Sequence, residues 1–222
     1  MNPKIVVLTD SLGLARKAPQ SVLLEETWPY LLKSALGTSE WYQFSMGGAT
    51  STDLLEQGQY WLHGQRPVDW LIVQAGIVDC APRAFTKRER VLQQIFSLLT
   101  RPFPRFRKFA FEQIRRSRQV SYVDAKSFRD NVKQLKNLAA EQQARLFWIP
   151  VLGANFYSEI LPGVDKKISM TNEILQAELG DSFIGVQLGA GCFMSDGHHL
   201  VVEGHRILAD RIFNYITAGQ NS

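Results

Sequence analysis

Three short apolar runs constrain this chain more than anything else in it. KIVVLT (residues 4–9), DWLIVQAG (69–76) and ARLFWIPV (144–151) are almost continuously apolar, and each runs out into small or polar residues. Runs of this length and composition read as strands covered on both faces, as in a parallel sheet. WYQFSM (41–46) and SFIGVQL (182–188) supply two further strands. Between the strands lie helical patterns: TWPYLLKSALG (27–37), with Thr27 as N-cap, Pro29 in the first turn and Gly37 past the end; TSTDLLEQGQYWL (50–62); TKRERVLQQIFSLL (86–99), opened by a Thr86–Glu89 capping box; and 121–143, 165–180 and 202–216. In the 121–143 pattern Phe128, Val132, Leu135 and Leu138 recur at helical spacing. Alternating strands and helices joined by right-handed crossovers predict an α/β fold: a three-layer α/β/α sandwich around a five-stranded, flavodoxin-like parallel sheet.

With 222 residues, 45% of them hydrophobic, residues 1–222 are expected to form one domain. No apolar run approaches 18 residues, so no membrane span is expected. KIVVLT reads as a strand and not as a signal-peptide core, and two cysteines are too few for a disulfide framework, so a cytoplasmic protein is expected. Cys80 and Cys192 both fall in loops at the same sheet edge and read as small buried thiols that lie near each other.

The net charge of +4 is unevenly placed. RPFPRFRKFAFEQIRRSR (101–118) holds seven Arg/Lys and one Glu, which makes the rest of the chain slightly acidic. The stretch 101–120 breaks the strand–helix alternation and reads as a basic, aromatic insertion on the domain. Phe103, Phe106, Phe109 and Phe111 interleave with the cations. Such a segment fits peripheral contact with an anionic surface, a lid, a subunit interface or a solvated face. Nucleic acid is not an expected partner.

In an open parallel sheet the functional site lies beyond the carboxyl ends of the strands. The loops there read TDSLG, GGATS, GIVDCAPR, LGANFY and CFMSDGHH. In SDGHHLVVEGHR, Asp196 and His199 stand three residues apart. A carboxylate and an imidazole so placed can activate one hydroxyl: the carboxylate orients the ring through one nitrogen, and the other nitrogen accepts the hydroxyl proton. The hydroxyl in question is Ser11, at the end of the first strand.

The loops taken together resemble the SGNH hydrolases, the GDSL esterase/lipase family. LTDSLG resembles its first block, with Thr9 in place of the first glycine; SMGGATSTDLL its second, on Gly48; VQAGIVD its third, on Gly76 and Asp79; and DGHHLVVEGHRILA its last. The resemblance implies Ser11 as nucleophile, His199 as general base and Asp196 as the group orienting it, with the Ser11 and Gly48 amides as oxyanion donors. GIVDCAPR with TWPYLL also resembles a bacterial subgroup associated with surface-polysaccharide synthesis.

One position departs from the pattern. The family asparagine that donates a side-chain amide to the oxyanion is replaced by Val78, which has no donor. Loss of one such donor costs about 10²–10³ in turnover. Arg83, Asn155 and Gln74 are candidate replacements. Arg83 and Arg16 together would give the site a positive rim suited to an anionic group, and Asp10 stands beside the nucleophile. His198 reads as a rim residue. No Cys-x-x-Cys or His-x-x-x-His spacing calls for a metal, and no cofactor is expected.

The reading is a serine-dependent carboxylic-ester hydrolase that removes an O-acyl group, an O-acetyl group among the candidates, from a carbohydrate or another small-molecule ester. An O-acyltransferase would use the same residues. A catalytically weak member that binds a polysaccharide or a partner is the alternative from a different class.

Overall fold

The computed structural model describes residues 3–64 and 67–218. Four parallel strands, β1 (Ile5–Thr9), β2 (Trp41–Ser45), β3 (Trp70–Gln74) and β4 (Arg145–Ile149), form one sheet in the order β2-β1-β3-β4. The register runs Ile5 beside Trp41 and Trp70, and Trp70 beside Arg145. The strands therefore end together, at Thr9, Ser45, Gln74 and Ile149. β1 and β3 are buried throughout, as their apolar runs require, while β2, at the edge, is half-buried along its length.

The helices are α1 (Trp28–Leu36), α2 (Ser51–Gly64), α3 (Ile77–Cys80), α4 (Arg90–Thr100), α5 (Pro104–Arg118), α6 (Ala125–Glu141), α7 (Tyr157–Ile160), α8 (Val164–Leu179) and α9 (Val202–Ala218). Alternate strand positions send side chains to opposite faces. Val6, Leu8, Leu71, Val73 and Trp148 pack with Leu54 of α2, Leu135 of α6 and Leu175 of α8. Ile5, Val7, Ile72, Phe147 and Ile149 pack with Trp28 and Leu32 of α1 and Leu208, Ile212 and Ile216 of α9. Each fully buried aliphatic side chain contributes about 1.5–3 kcal/mol to holding the layers together. This is the expected three-layer α/β/α arrangement.

The sheet has four strands where five were expected. Residues 182–188 do run beside β4, through a single parallel bridge from Phe183 to Trp148 and a 2.9 Å bond from the Ile184 amide to the Trp148 carbonyl. The Val186 amide then turns back onto the Ile184 carbonyl at 2.8 Å, across Gly185. That tight turn takes the segment's donor away from β4 and ends the pairing after one bridge.

Two local readings are corrected in the same way. Thr27 precedes α1 but spends its hydroxyl on the Leu24 carbonyl; the orphan Trp28 amide is met instead by Nδ1 of the buried His205 on α9, at 3.1 Å. Cys80 and Cys192 are both free and buried, but they belong to the cores on opposite faces of the sheet.

The basic stretch 101–120 holds α5. α4 and α5 pair as a helical hairpin that stands out from the domain, and α5 starts on Pro104 and ends on Gln119 in the left-handed region. Phe85, Phe96 and Phe111 cluster at 5.7–6.3 Å between ring centroids on its inner side. At its base Arg118 bridges to Glu89 at 2.8 Å and to the Ala84 carbonyl at 3.1 Å. Glu89 also closes the expected capping box with Thr86. No helix of the described residues is long and apolar enough to cross a membrane.

Candidate active site

The carboxyl end of β1 delivers Ser11 through a single 3-10 turn, Ser11–Gly13. Asp10 caps that turn: its Oδ1 accepts from the Leu12 amide at 2.9 Å. Gly13 lies so close over Thr9 that a Cβ there would overlap the Thr9 hydroxyl. The chain can turn this sharply only with glycine at 13, and the turn leaves Ser11 half-exposed above a buried Asp10.

His199 comes from the far end of the chain. An antiparallel bridge between Phe193 and Leu200 closes a loop in which the Met194 amide donates to the His199 carbonyl at 2.7 Å. Gly197, at φ +83, makes the turn between Asp196 and His199; a Cβ there would press against the Tyr157 ring at 2.6 Å. The Ala154 amide donates to the Gly197 carbonyl at 2.8 Å and ties the loop to the end of β4.

These two turns bring three expected residues together. Ser11 Oγ lies 3.0 Å from His199 Nε2, and His199 Nδ1 lies 2.7 Å from Asp196 Oδ2. The other Asp196 oxygen accepts from the His199 amide at 3.0 Å and the His198 amide at 3.2 Å. Burial pushes the Asp196 carboxyl up. The hydrogen bonds from the His199 ring and amide outweigh that and hold it well below the usual carboxylate range. Asp196 is therefore an anion that only accepts. That places the ring proton on Nδ1 and leaves Nε2 free to receive the Ser11 proton. Asp196, His198 and His199 are also close enough to share a cation, but His199 Nδ1 already faces Asp196.

Gly48, at φ +74, occupies a conformation that suits glycine, in an exposed turn at the end of β2. Among the described residues, neither the Ser11 nor the Gly48 amide donates to a protein acceptor. Val78 lies in α3, in the core that includes α2 and α6, and offers nothing polar.

The four residues set beside the site as substrate or oxyanion contacts meet different fates. Arg83 lines a cleft of about 290 Å³ with Asp196, His198, Tyr122 and Tyr157. Its guanidinium lies 4.9 Å from the Tyr122 ring centroid, and its buried Nε has no partner. This cleft reaches the triad at Asp196 and not at Ser11. Arg16 is half-buried in the loop after Ser11, with Nε near the Ala18 carbonyl at 3.4 Å, and its charge is felt at His198. Asn155 is exposed at the approach to α7 and is engaged through its carbonyl, by Ser158. Asp10 is fully buried, so its carboxylate supports the turn and does not reach a substrate. Gln74 is likewise buried, and its Oε1 accepts from the Trp28 indole at 2.8 Å on the α1 side of the sheet.

Two features were not foreseen. Asp79 accepts the Ser51 amide and hydroxyl from across the sheet edge and so caps α2, just after Gly48. Asn131 of α6 donates to the same Ser51 hydroxyl at 2.9 Å. Asp79 was visible only as a motif position; its partner in α2 is 28 residues earlier, and no local pattern links them. His198 stacks on Tyr157 at 5.1 Å between centroids, and burial, with the neighbouring His199 charge, lowers its pKa to about 4. It is thus a neutral wall of the Arg83 cleft.

No protein-family model matches this sequence, and no curated protein sequence matches it. Solved structures do match in shape. A lipase/acylhydrolase from Enterococcus faecalis superposes with a TM-score of 0.61 at 16% identity, covering 97% of this chain and 96% of that one. A GDSL-like lipase from Bacteroides thetaiotaomicron gives 0.61 at 13%, covering 98% and 89%. The psychrotrophic esterase EstA from Pseudoalteromonas sp., in a structure inhibited by monoethylphosphonate, gives 0.59 at 12%, covering 98% of each chain. The fold is that of the SGNH hydrolases. In this SGNH fold Ser11, Gly48 and His199 all stand at the carboxyl edge of the sheet, where the sequence blocks placed them.

Proposed function

We propose that this protein is a serine-dependent carboxylic-ester hydrolase. The observation that carries the reading is the unbroken relay Ser11 Oγ–His199 Nε2–Asp196, at 3.0 and 2.7 Å. Ser11 Oγ attacks the ester carbonyl carbon while His199 Nε2 takes its proton. The Ser11 and Gly48 amides receive the developing oxyanion. Collapse of the tetrahedral species breaks the bond to the alcohol, which leaves with the proton held by His199. Water, deprotonated by the same nitrogen, then attacks the acyl-serine and releases the acid.

The cleft beside Asp196 supports a polar substrate. Arg83 offers a guanidinium there, stacked on Tyr122, and Tyr157 and His198 line the same wall. A cleft lined by a cation and polar and aromatic side chains suits an O-acylated carbohydrate, the substrate class that the polysaccharide-associated resemblance also favours.

The test is hydrolysis of p-nitrophenyl acetate by the wild type and by Ser11→Ala, with covalent labelling by an ethylphosphonate ester as a second readout. Turnover and labelling in the wild type, both lost in the variant, are expected. Equal rates in the two proteins would overturn the reading.

A further inference from the structure

We propose that the α4–α5 hairpin is a docking surface for an anionic lipid bilayer. The hairpin buries almost nothing of its own: Thr100 is the one buried residue of α4, and α5 has none. Yet α4 is rich in aliphatic residues. Val91, Ile95, Leu98 and Leu99 recur at helical spacing and are 49–71% exposed. Phe103, Phe106 and Phe109, each three residues from the next, add three aromatic side chains that are about 60% exposed.

Apolar exposure on this scale in one paired element marks an interaction surface. What selects the occupant is charge. Residues 101–118 carry seven cations against one carboxylate, and Arg101, Arg105, Lys108 and Arg116 lie exposed among the phenylalanines. A second copy of the chain meeting this face symmetrically would set two strongly positive segments against each other. A single-stranded nucleic acid would find three rings for stacking but a whole helix face of aliphatic side chains with nothing to offer a base. An anionic bilayer meets both requirements at once. The aliphatic and phenyl groups enter the acyl boundary, and the long cationic side chains reach up to phosphate groups at headgroup level.

The hairpin is also held firmly from behind, by the Phe85–Phe96–Phe111 cluster and the Arg118–Glu89 bridge, so its outer face is presented and not folded back. The groove between the two helices shares Gln93, Phe111 and Arg115 with the cleft that reaches Asp196. Docking by this face would bring that cleft beside the membrane.

The experiment is flotation of the full chain with phosphatidylglycerol–phosphatidylcholine vesicles, and with pure phosphatidylcholine vesicles as the neutral control. The wild type is expected to float with the anionic vesicles, to float weakly with the neutral ones, and to be released by added salt. Two exposed-surface variants, Phe103→Ser/Phe106→Ser/Phe109→Ser and Arg101→Glu/Arg105→Glu/Lys108→Glu, are each expected to lower vesicle binding by roughly tenfold or more. Circular dichroism and p-nitrophenyl acetate hydrolysis check that both still fold. Ser11→Ala is expected to bind like the wild type, which separates docking from ester hydrolysis. Absence of flotation, equal flotation on both vesicle types, or flotation unchanged in both variants would overturn the proposal. So would a salt-stable dimer in light scattering that Leu98→Ser/Leu99→Ser returns to monomer.

Discussion

Asp79 and Ser51 tie α3 to the start of α2, just after Gly48. The Ser51 amide donates to the two Asp79 oxygens at 2.9 and 3.0 Å, and the Ser51 hydroxyl donates to Asp79 Oδ1 at 2.6 Å. One residue sits in α3, the other opens α2 three positions after Gly48. The pair thus fixes the start of α2, and with it the Gly48 turn, against α3. Removing the carboxylate leaves the Ser51 amide as a buried donor without an acceptor, which costs about 1–3 kcal/mol. Asp79→Ala is expected to lower the denaturation midpoint by that much and to lower kcat on p-nitrophenyl acetate about tenfold or more, with KM less affected. A stability loss with unchanged kcat would show that the pair supports the fold without fixing the Gly48 amide.

The Asp196–His199 contact predicts a tautomer effect. Asp196 is held ionised, so it can only accept from Nδ1. An asparagine there can turn its NH2 toward Nδ1, which moves the ring proton to Nε2 and blocks acceptance of the Ser11 proton. Asp196→Asn is expected to lower kcat by about 10³–10⁴, with a smaller loss of thermal stability because the ionised carboxylate is favoured in the folded state. The measurement is steady-state hydrolysis beside a melting curve. Turnover within a few-fold of the wild type would remove Asp196 from the relay.

Val78 stands where the family pattern has a side-chain donor, and it offers none. Val78→Asn is expected to raise kcat on p-nitrophenyl acetate about tenfold or more by adding that donor. It is also expected to lower the denaturation midpoint, because a polar amide enters a site only 8% exposed. Loss of stability without any gain in kcat would mean that an amide at 78 does not reach the developing oxyanion.

Much of this was legible in the sequence for definable reasons. The buried strands declared themselves because a strand covered on both faces leaves no polar alternation to confuse with a helix. Ser11 and Gly48 were legible because each sits in a short loop at a strand end, and Asp196 and His199 because their turn demands particular residues, such as Gly197 beneath the Tyr157 ring. The fifth strand failed on one backbone turn at Ile184–Val186, which no propensity distinguishes from an extended pair. Thr27 looked like the cap of α1, but tertiary structure supplied His205, a residue on the last helix. Asp10 and Gln74 were polar residues at the correct edge. Only the fold could show that the sheet points them inward, away from the substrate side.

Asp10 gives the clearest pH prediction. Burial raises its pKa from 3.8 to about 7, against the Leu12 amide that lowers it, and the nearby Asp79 charge raises it further. Its Oδ2 has no partner. Because the folded value lies above the unfolded one, the folded state holds the proton more tightly between about pH 4 and 7. Stability from this group is therefore full at low pH, falls as pH rises through that window, and levels off above 7. Asp10→Asn keeps an oxygen for the Leu12 amide and cannot ionise. The variant is expected to gain on the wild type as pH rises, with little difference at pH ~4 and an advantage of roughly 2–4 kcal/mol at pH ~8. His198 and His205, both lowered to about 4 by burial, act in the opposite sense, since their contribution grows with pH up to the unfolded value of 6.5. They are unchanged by the substitution and cancel from the difference between the two proteins. Urea unfolding of both across that range measures it directly. A gap that does not widen with pH would mean that Asp10 ionises in the folded protein without cost.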